Sequence, residues 1–230
     1  MVLPGNPRTR RVAAAVLLLA VLWGAAWVAG GRFLADASRY EVRHFLDRWR
    51  AGTLKLEPAR LDELQAQQTR AAAQDPGNPW IEFELAHLLL SRPRLPLQLI
   101  DPAMTARQFE ARDRYRHVVM LRPTWELAWA NLAVSKVVLG QVDREFFAAM
   151  ELALRHGPWN QDVQMNIIRT GLSVWPLLPL PLQSQLRQAI YRQAHWRLSP
   201  QAAALRNMLT TAGHAELLCL LEAAPKGCVP

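Results

Sequence analysis

Apolar residues recur along this chain at helical rather than strand spacing, and the periodic runs are punctuated by prolines and glycines. The first run has no polar face at all, since residues 12–31 carry no charge. A helix of that length rises about 30 Å, the thickness of a bilayer's hydrocarbon core. From 36 to 50 a stripe of Tyr40, Phe45, Leu46 and Trp49 extends the same helix. Glu57-Pro58 opens a second helix to about 74, with proline in the first turn, where its missing donor costs nothing. Asp75-Pro76-Gly77-Asn78-Pro79 breaks the pattern. Further helices are predicted over 80–90, 105–121, 126–139, 143–155, 161–172 and 183–198. Another, opened by Ser199-Pro200, is closed by Gly213, and a short one follows over 215–223. The proline-rich stretch 91–102 reads as an exposed loop. Residues 175–181 cannot be a helix interior, and their apolar content predicts packing across one end of the helical stack. Nothing reads as strand, so the predicted class is all-α.

The breaks are themselves periodic. Pro123 and Pro158 stand 35 residues apart, close to the roughly 34-residue period of a tetratricopeptide helix–turn–helix unit. Trp129-x-x-Leu132-Ala133 falls where that repeat has Trp-x-x-Leu-Gly, with alanine as the small residue at the helix crossing. Ala111-x-x-x-Tyr115 before Pro123 matches the repeat's Ala-x-x-x-Phe…Pro ending. Between Pro76 and Pro123 the unit is about thirteen residues over the period, which the 91–102 loop accounts for. The expected architecture is an anchor at 1–31 followed by a helical repeat domain at 32–230. In it, core repeats lie at about 75–175 and C-terminal helices at 183–223 cap the exposed end of an α-solenoid.

The uncharged run reads as a transmembrane helix. Trp23 and Trp27 lie near its distal end, where indoles favour the membrane interface. A cleaved signal peptide is the competing reading, with Val28-Ala29-Gly30 as the cleavage site, but signal cores usually span only about 7–15 residues. Arg8, Arg10 and Arg11 precede the run, and Arg32, Arg39, Arg43, Arg48 and Arg50 follow it. Charge alone therefore does not orient it. Long domains translocate largely regardless of charge, and the expectation is a single-pass bacterial inner-membrane protein with its body in the periplasm.

Charge and chemistry remove most other classes. The chain carries a net +8, of which the anchor's three arginines are a part; lysine occurs only at Lys55, Lys136 and Lys226. No basic stripe forms, so nucleic acid is not an expected partner. Cys219 and Cys228 would bridge in an oxidising compartment or stay as thiols in the cytoplasm. Two thiols with no spaced histidine do not predict a metal, and no cofactor is expected. Phosphate loops, Gly-x-Ser-x-Gly and His-Glu-x-x-His are absent, and no two histidines lie two to four residues apart. Glu82 and Glu84 do not share a helix face. No catalytic residue is predicted, and the chain is read as a non-enzyme. Trp80, Trp125, Trp129, Trp159 and Trp175 gather at unit boundaries, where packing between helix pairs is favoured over a sugar-stacking platform. Lys136 stands in an apolar run, either snorkelling at the helix edge or pointing into a groove.

The run Leu121-Arg122-Pro123-x-Trp125-x-x-x-Trp129-x-x-Leu132-Ala133-x-x-Lys136, then Gly140, then Ala153-Leu154-x-x-Gly157-Pro158-Trp159 and Trp175, resembles the VpsP-type family of exopolysaccharide-biosynthesis accessory proteins. Asn160 departs from the pattern, where an acidic residue is expected. The resemblance implies an anchored bacterial protein with a tetratricopeptide-like body, working beside exopolysaccharide export. The expected function is a non-catalytic scaffold docking protein subunits of a polysaccharide synthesis or export system. Helices near 80–90, 126–139 and 161–172 would build its groove, with Asn131, Lys136 and Arg169 as candidate groove residues. Trp129, Leu132, Ala133, Gly140, Pro123 and Pro158 are the structural set. The alternative is an envelope chaperone for unfolded secreted or membrane proteins, and an enzyme acting on the glycan is least favoured.

Overall fold

Prolines and glycines divide the chain where the sequence pattern puts them. The computed structural model describes residues 7–55, 57–91, 102–195 and 201–222. Its helices are α1 (Pro7–Arg50), α2 (Pro58–Gln74), α3 (Pro79–Leu90), α4 (Pro102–Leu121), α5 (Glu126–Val138), α6 (Arg144–His156), α7 (Gln161–Ser173), α8 (Leu180–His195) and α9 (Gln201–Thr211), with 3₁₀ segments at Trp175–Leu177 and Ala215–Leu221. Among the described residues there is no strand. Helix α8 starts earlier than the expected 183, because Pro181 is tolerated in a first turn. The predicted last helix is the 3₁₀ segment Ala215–Leu221. Most of the predicted 91–102 loop and the Ser199-Pro200 helix start lie outside the described residues. The chain forms two compact units, Met1–Leu88 and Leu89–Pro230.

In the first unit α1 is a single helix of 44 residues, about 66 Å long at the usual rise. Residues 11–30 are exposed on every side, and the helix is long and apolar enough to cross a membrane. From Gly31 onward one face closes. Positions 31, 35, 38, 42, 45, 46 and 49 are buried or half-buried, a 4-3-4-3 spacing that forms a coiled-coil-like seam. Helix α2 packs on that seam. Val42, Phe45 and Leu46 meet Leu61, Leu64 and Leu88, while Ala35 meets Ala71, Ala72, Ile81 and Leu85. Gln68 is fully buried and satisfied: its amide donates to the Ile81 carbonyl at 3.2 Å and accepts from Ser38 Oγ at 3.3 Å, tying α1, α2 and α3 together.

In the second unit α5 is central, packing against α4, α6 and α7, and α8 lies on α6 and α7. Leu132 and Ala133 are fully buried, as are Phe146, Ala149, Met150 and Ala153 on α6 and Val163, Ile167 and Ile168 on α7. Helix α5 stops because Gly140 takes φ +70, a conformation costly for a residue with a Cβ. The Gly140 N–H then donates to the Val137 carbonyl and the Gln141 N–H to that of Lys136, which completes a Schellman cap. Helices α9 and the terminal 3₁₀ segment close the far end against α8. There Trp175 packs on the His214 ring, and His214 Nε2 lies 3.2 Å from the Leu172 carbonyl oxygen. Cys219 is disulfide-bonded; Cys228 lies outside the described residues.

The tryptophan assignments need correction. Trp125 and Trp175 are buried, but Trp129 is only half-buried. Its indole N–H donates to the Pro123 carbonyl at 2.7 Å, so it braces the turn before α5 instead of filling a wedge between helices. Trp159 is 62 % exposed. The Trp175–Pro181 stretch is only half as expected. Trp175 and Leu178 are buried, yet Leu177 and Leu180 stand out into solvent.

Candidate docking surface

Three proline turns set the register of the surface. In each, the N–H three residues on donates back across the turn: Asn78 to the Asp75 carbonyl, Trp125 to that of Arg122, and Asn160 to that of Gly157. Proline holds the second turn position, where its fixed φ is pre-set. Each turn delivers the chain into α3, α5 or α7, so positions counted from the turn correspond.

On α5, Leu127, Asn131 and Val134 are half-buried and Val138 is exposed; on α7, Asp162, Arg169 and Ser173 are exposed and Asn166 is half-buried. Both sets are spaced 4-3-4, which places each on one helix face. Each α7 position follows its α5 counterpart by the same 35 residues that separate Pro123 from Pro158. The two helices pack against each other, so the second unit presents two matched rows, apolar and amide on α5, charged and polar on α7.

The sequence-predicted site residues divide on this surface. Asn131 lies in the α5 row, its Nδ2 donating to the Leu127 carbonyl at 2.8 Å. Arg169 lies in the α7 row, exposed and without an ion pair among the described residues. Asn166, the counterpart of Asn131, is the residue that sequence reasoning missed, and the 35-residue offset was the signal for it. Lys136 does not belong to the surface. It is 2 % exposed, and its Nζ donates to Asp143 Oδ2 at 2.9 Å and to Glu145 Oε2 at 2.6 Å. Arg116 grips the same Glu145 with two hydrogen bonds of 2.6 and 2.7 Å. That grip outweighs burial and, with Lys136, holds the Glu145 carboxyl down at about 2. Asp143 meanwhile caps α6 by accepting the Phe146 N–H. Lys136 thus fastens α5 to α6, and Glu145 carries the tie to α4.

Asn160 does what the expected acid could not. It caps α7 by accepting from the Val163 N–H, while its Nδ2 donates to Glu126 Oε1 at 3.1 Å. A carboxylate there would repel Glu126.

In the first unit the corresponding position on α3 is Glu84, and it is closed. Glu84 is 6 % exposed, with Oε2 lacking a hydrogen-bond partner. Burial pushes its carboxyl up to about 8, against the pull of Arg39 and Arg43 on α1. Arg39 also lies over the Trp80 ring. The α3 row is therefore occupied by the protein's own α1.

The pocket beside Val134 and Val138, lined also by Leu89, Met104, Arg107 and Gln108, encloses about 50 Å³, room for a few waters only. Among the described residues no three His, Cys, Asp or Glu side chains are grouped to hold a metal ion. Compared with known proteins, the chain matches no family model and no curated sequence.

Proposed function

We propose that this is a single-pass membrane protein of the bacterial envelope whose tetratricopeptide-like body docks protein subunits of an exopolysaccharide synthesis or export system without catalysing a reaction. The observation that carries the reading is the matched pair of rows, Leu127-Asn131-Val134-Val138 and Asp162-Asn166-Arg169-Ser173. A stacked helical surface with such rows suits a partner helix or extended segment, anchored by apolar contacts and oriented by amides and one arginine. The recurring proline turns, and the packing of α5 on α7 and α6 on α8, support the repeat architecture. The disulfide at Cys219 supports an oxidising compartment for the body, hence the N-terminus inside. The pathway follows from the VpsP-type resemblance.

The test is affinity capture with the full-length, membrane-extracted protein. A scaffold retains a few defined glycosyltransferase, polymerase or export subunits, and Asn131→Arg with Arg169→Glu releases them while the helical content is unchanged. Retention of many unrelated unfolded proteins makes the protein a chaperone instead. A purified chain that cleaves or transfers glycan, and loses this with one Asp, Glu or His change, overturns both readings.

A further inference from the structure

Residues 170–186 contain no charge, and Arg169 and Arg187 bound them. Within this stretch Pro176, Leu177, Pro179, Leu180 and Pro181 are exposed, Leu177 by 61 % and Leu180 by 79 %. Large apolar side chains that protrude together mark a contact surface.

This ridge is held out rigidly. Trp175, Leu178 and Leu182 are buried beneath it, and the Gln183 amide donates to both the Trp175 and Leu178 carbonyls, at 3.2 and 3.0 Å. Its backbone is also prepared for a dry environment. Pro176, Pro179 and Pro181 have no N–H to desolvate. The N–H groups of Leu177, Leu178, Leu182 and Gln183 are bonded to the carbonyls of Val174, Trp175, Pro179 and Pro179 respectively. Only the Leu180 N–H, in the first turn of α8, lacks a backbone acceptor there. Unsatisfied backbone N–H and C=O groups both oppose putting irregular chain into lipid, and here nearly all of the donors are removed. Beside it the half-buried Arg187 holds its guanidinium 5.8 Å from the Trp175 ring, a cation at the edge of the apolar tip that matches an anionic headgroup.

We infer that Pro176–Pro181 is a second membrane contact, in which Leu177 and Leu180 insert into the headgroup boundary of an anionic bilayer while Arg187 meets its phosphates. The inference rests on α1 crossing that membrane, and it does not depend on what the α5–α7 rows bind.

The experiment uses the full chain in nanodiscs of phosphatidylcholine and phosphatidylglycerol, some of the lipid carrying a nitroxide near the top of its acyl chain. With Cys219 disulfide-bonded, Ser184→Cys on the exposed side of α8 takes a bimane label without itself supplying an apolar contact. The expected result is strong nitroxide quenching at position 184, lost when Leu177→Ser and Leu180→Ser are added, while a label at Met120→Cys stays bright. Quenching at Leu22→Cys within α1 but not at position 184 overturns the ridge and leaves the anchor standing. Absence of quenching at both overturns the anchor as well. Capture of a protein by the ridge without lipid quenching assigns it to a protein interface and also overturns the inference.

Discussion

Lys136 Nζ and Glu145 Oε2 are 2.6 Å apart, yet the lysine is buried and the glutamate partly open, with side-chain exposures of 2 % and 35 %. The pair is therefore asymmetric. Removing the lysine leaves Glu145 in the grip of Arg116, whereas removing the carboxylates strands an ammonium inside the protein. Lys136→Met should cost about 1–2 kcal/mol, and Asp143→Asn with Glu145→Gln about 3–5 kcal/mol. Chemical unfolding of the detergent-solubilised chain measures both, and equal costs would show that the ammonium is not isolated from solvent.

Glu84 gives the first unit a pH dependence opposite in sign to that of Glu145. Its folded-state value is raised from 4.5 to about 8, so the native state binds the extra proton. Stability falls as pH rises from about 4.5 through 8 and levels off above. Each unit of displacement corresponds to about 1.4 kcal/mol. Glu84→Gln should flatten this limb and raise the pH 8 melting temperature by several degrees. Glu145, held at about 2, adds a loss only as pH drops below the usual carboxylate range. Amide exchange in α3 across the pH range is the check, and no change with Glu84→Gln would mean that the carboxyl ionises freely.

Trp125 and Trp129 should separate cleanly. Trp125→Ala removes a buried indole and is expected to cost about 3–5 kcal/mol. Trp129→Phe loses mainly the bond to the Pro123 carbonyl, about 1 kcal/mol. Thermal melts that rank them the other way would restore Trp129 to the core.

At Gly157 a Cβ would come within 2.6 Å of Glu126 Cγ and 2.9 Å of Glu126 Cβ, whereas at Gly77 it would meet nothing within 4 Å. Gly157→Ala should therefore destabilise by about 1–3 kcal/mol through overpacking where the start of α5 meets the turn before α7. Gly77→Ala should lie within about 0.5 kcal/mol of the parent. A neutral Gly157→Ala would show that the turn yields.

Helix boundaries were legible because proline and glycine act locally: Gly140, Pro123 and Pro158 stop or start a helix wherever the rest of the chain goes. Burial depth was less legible. The period identifies the face on which Trp129 lies but not whether another helix covers it, and Trp125, one residue outside α5, went deeper. Lys136 looked anomalous in its apolar run because one of its partners, Glu145, is fixed by Arg116 from another helix. The apolar composition of 175–181 predicts packing across one end of the helical stack, while its prolines hold half of it out. Asn131 and Arg169 fell on open faces because helical spacing reports direction well. The closure of Glu84 depends on α1 folding back over α3, which no local pattern states.

The unbroken course of α1 has a mechanical consequence. A body hung on a flexible linker samples a volume, and its capture of partners is governed by an effective concentration. Here the seam residues Ala35, Val42, Phe45 and Leu46 are on the same helix as residues 11–30, an exposed run long and apolar enough to cross a membrane, so tilt or rotation of that run turns α2 and α3 through the same angle. Hydrophobic mismatch tilts a membrane helix. With α1 across a bilayer, as proposed above, the first unit would convert its thickness into height and bearing above the surface, as a mast rather than a rope.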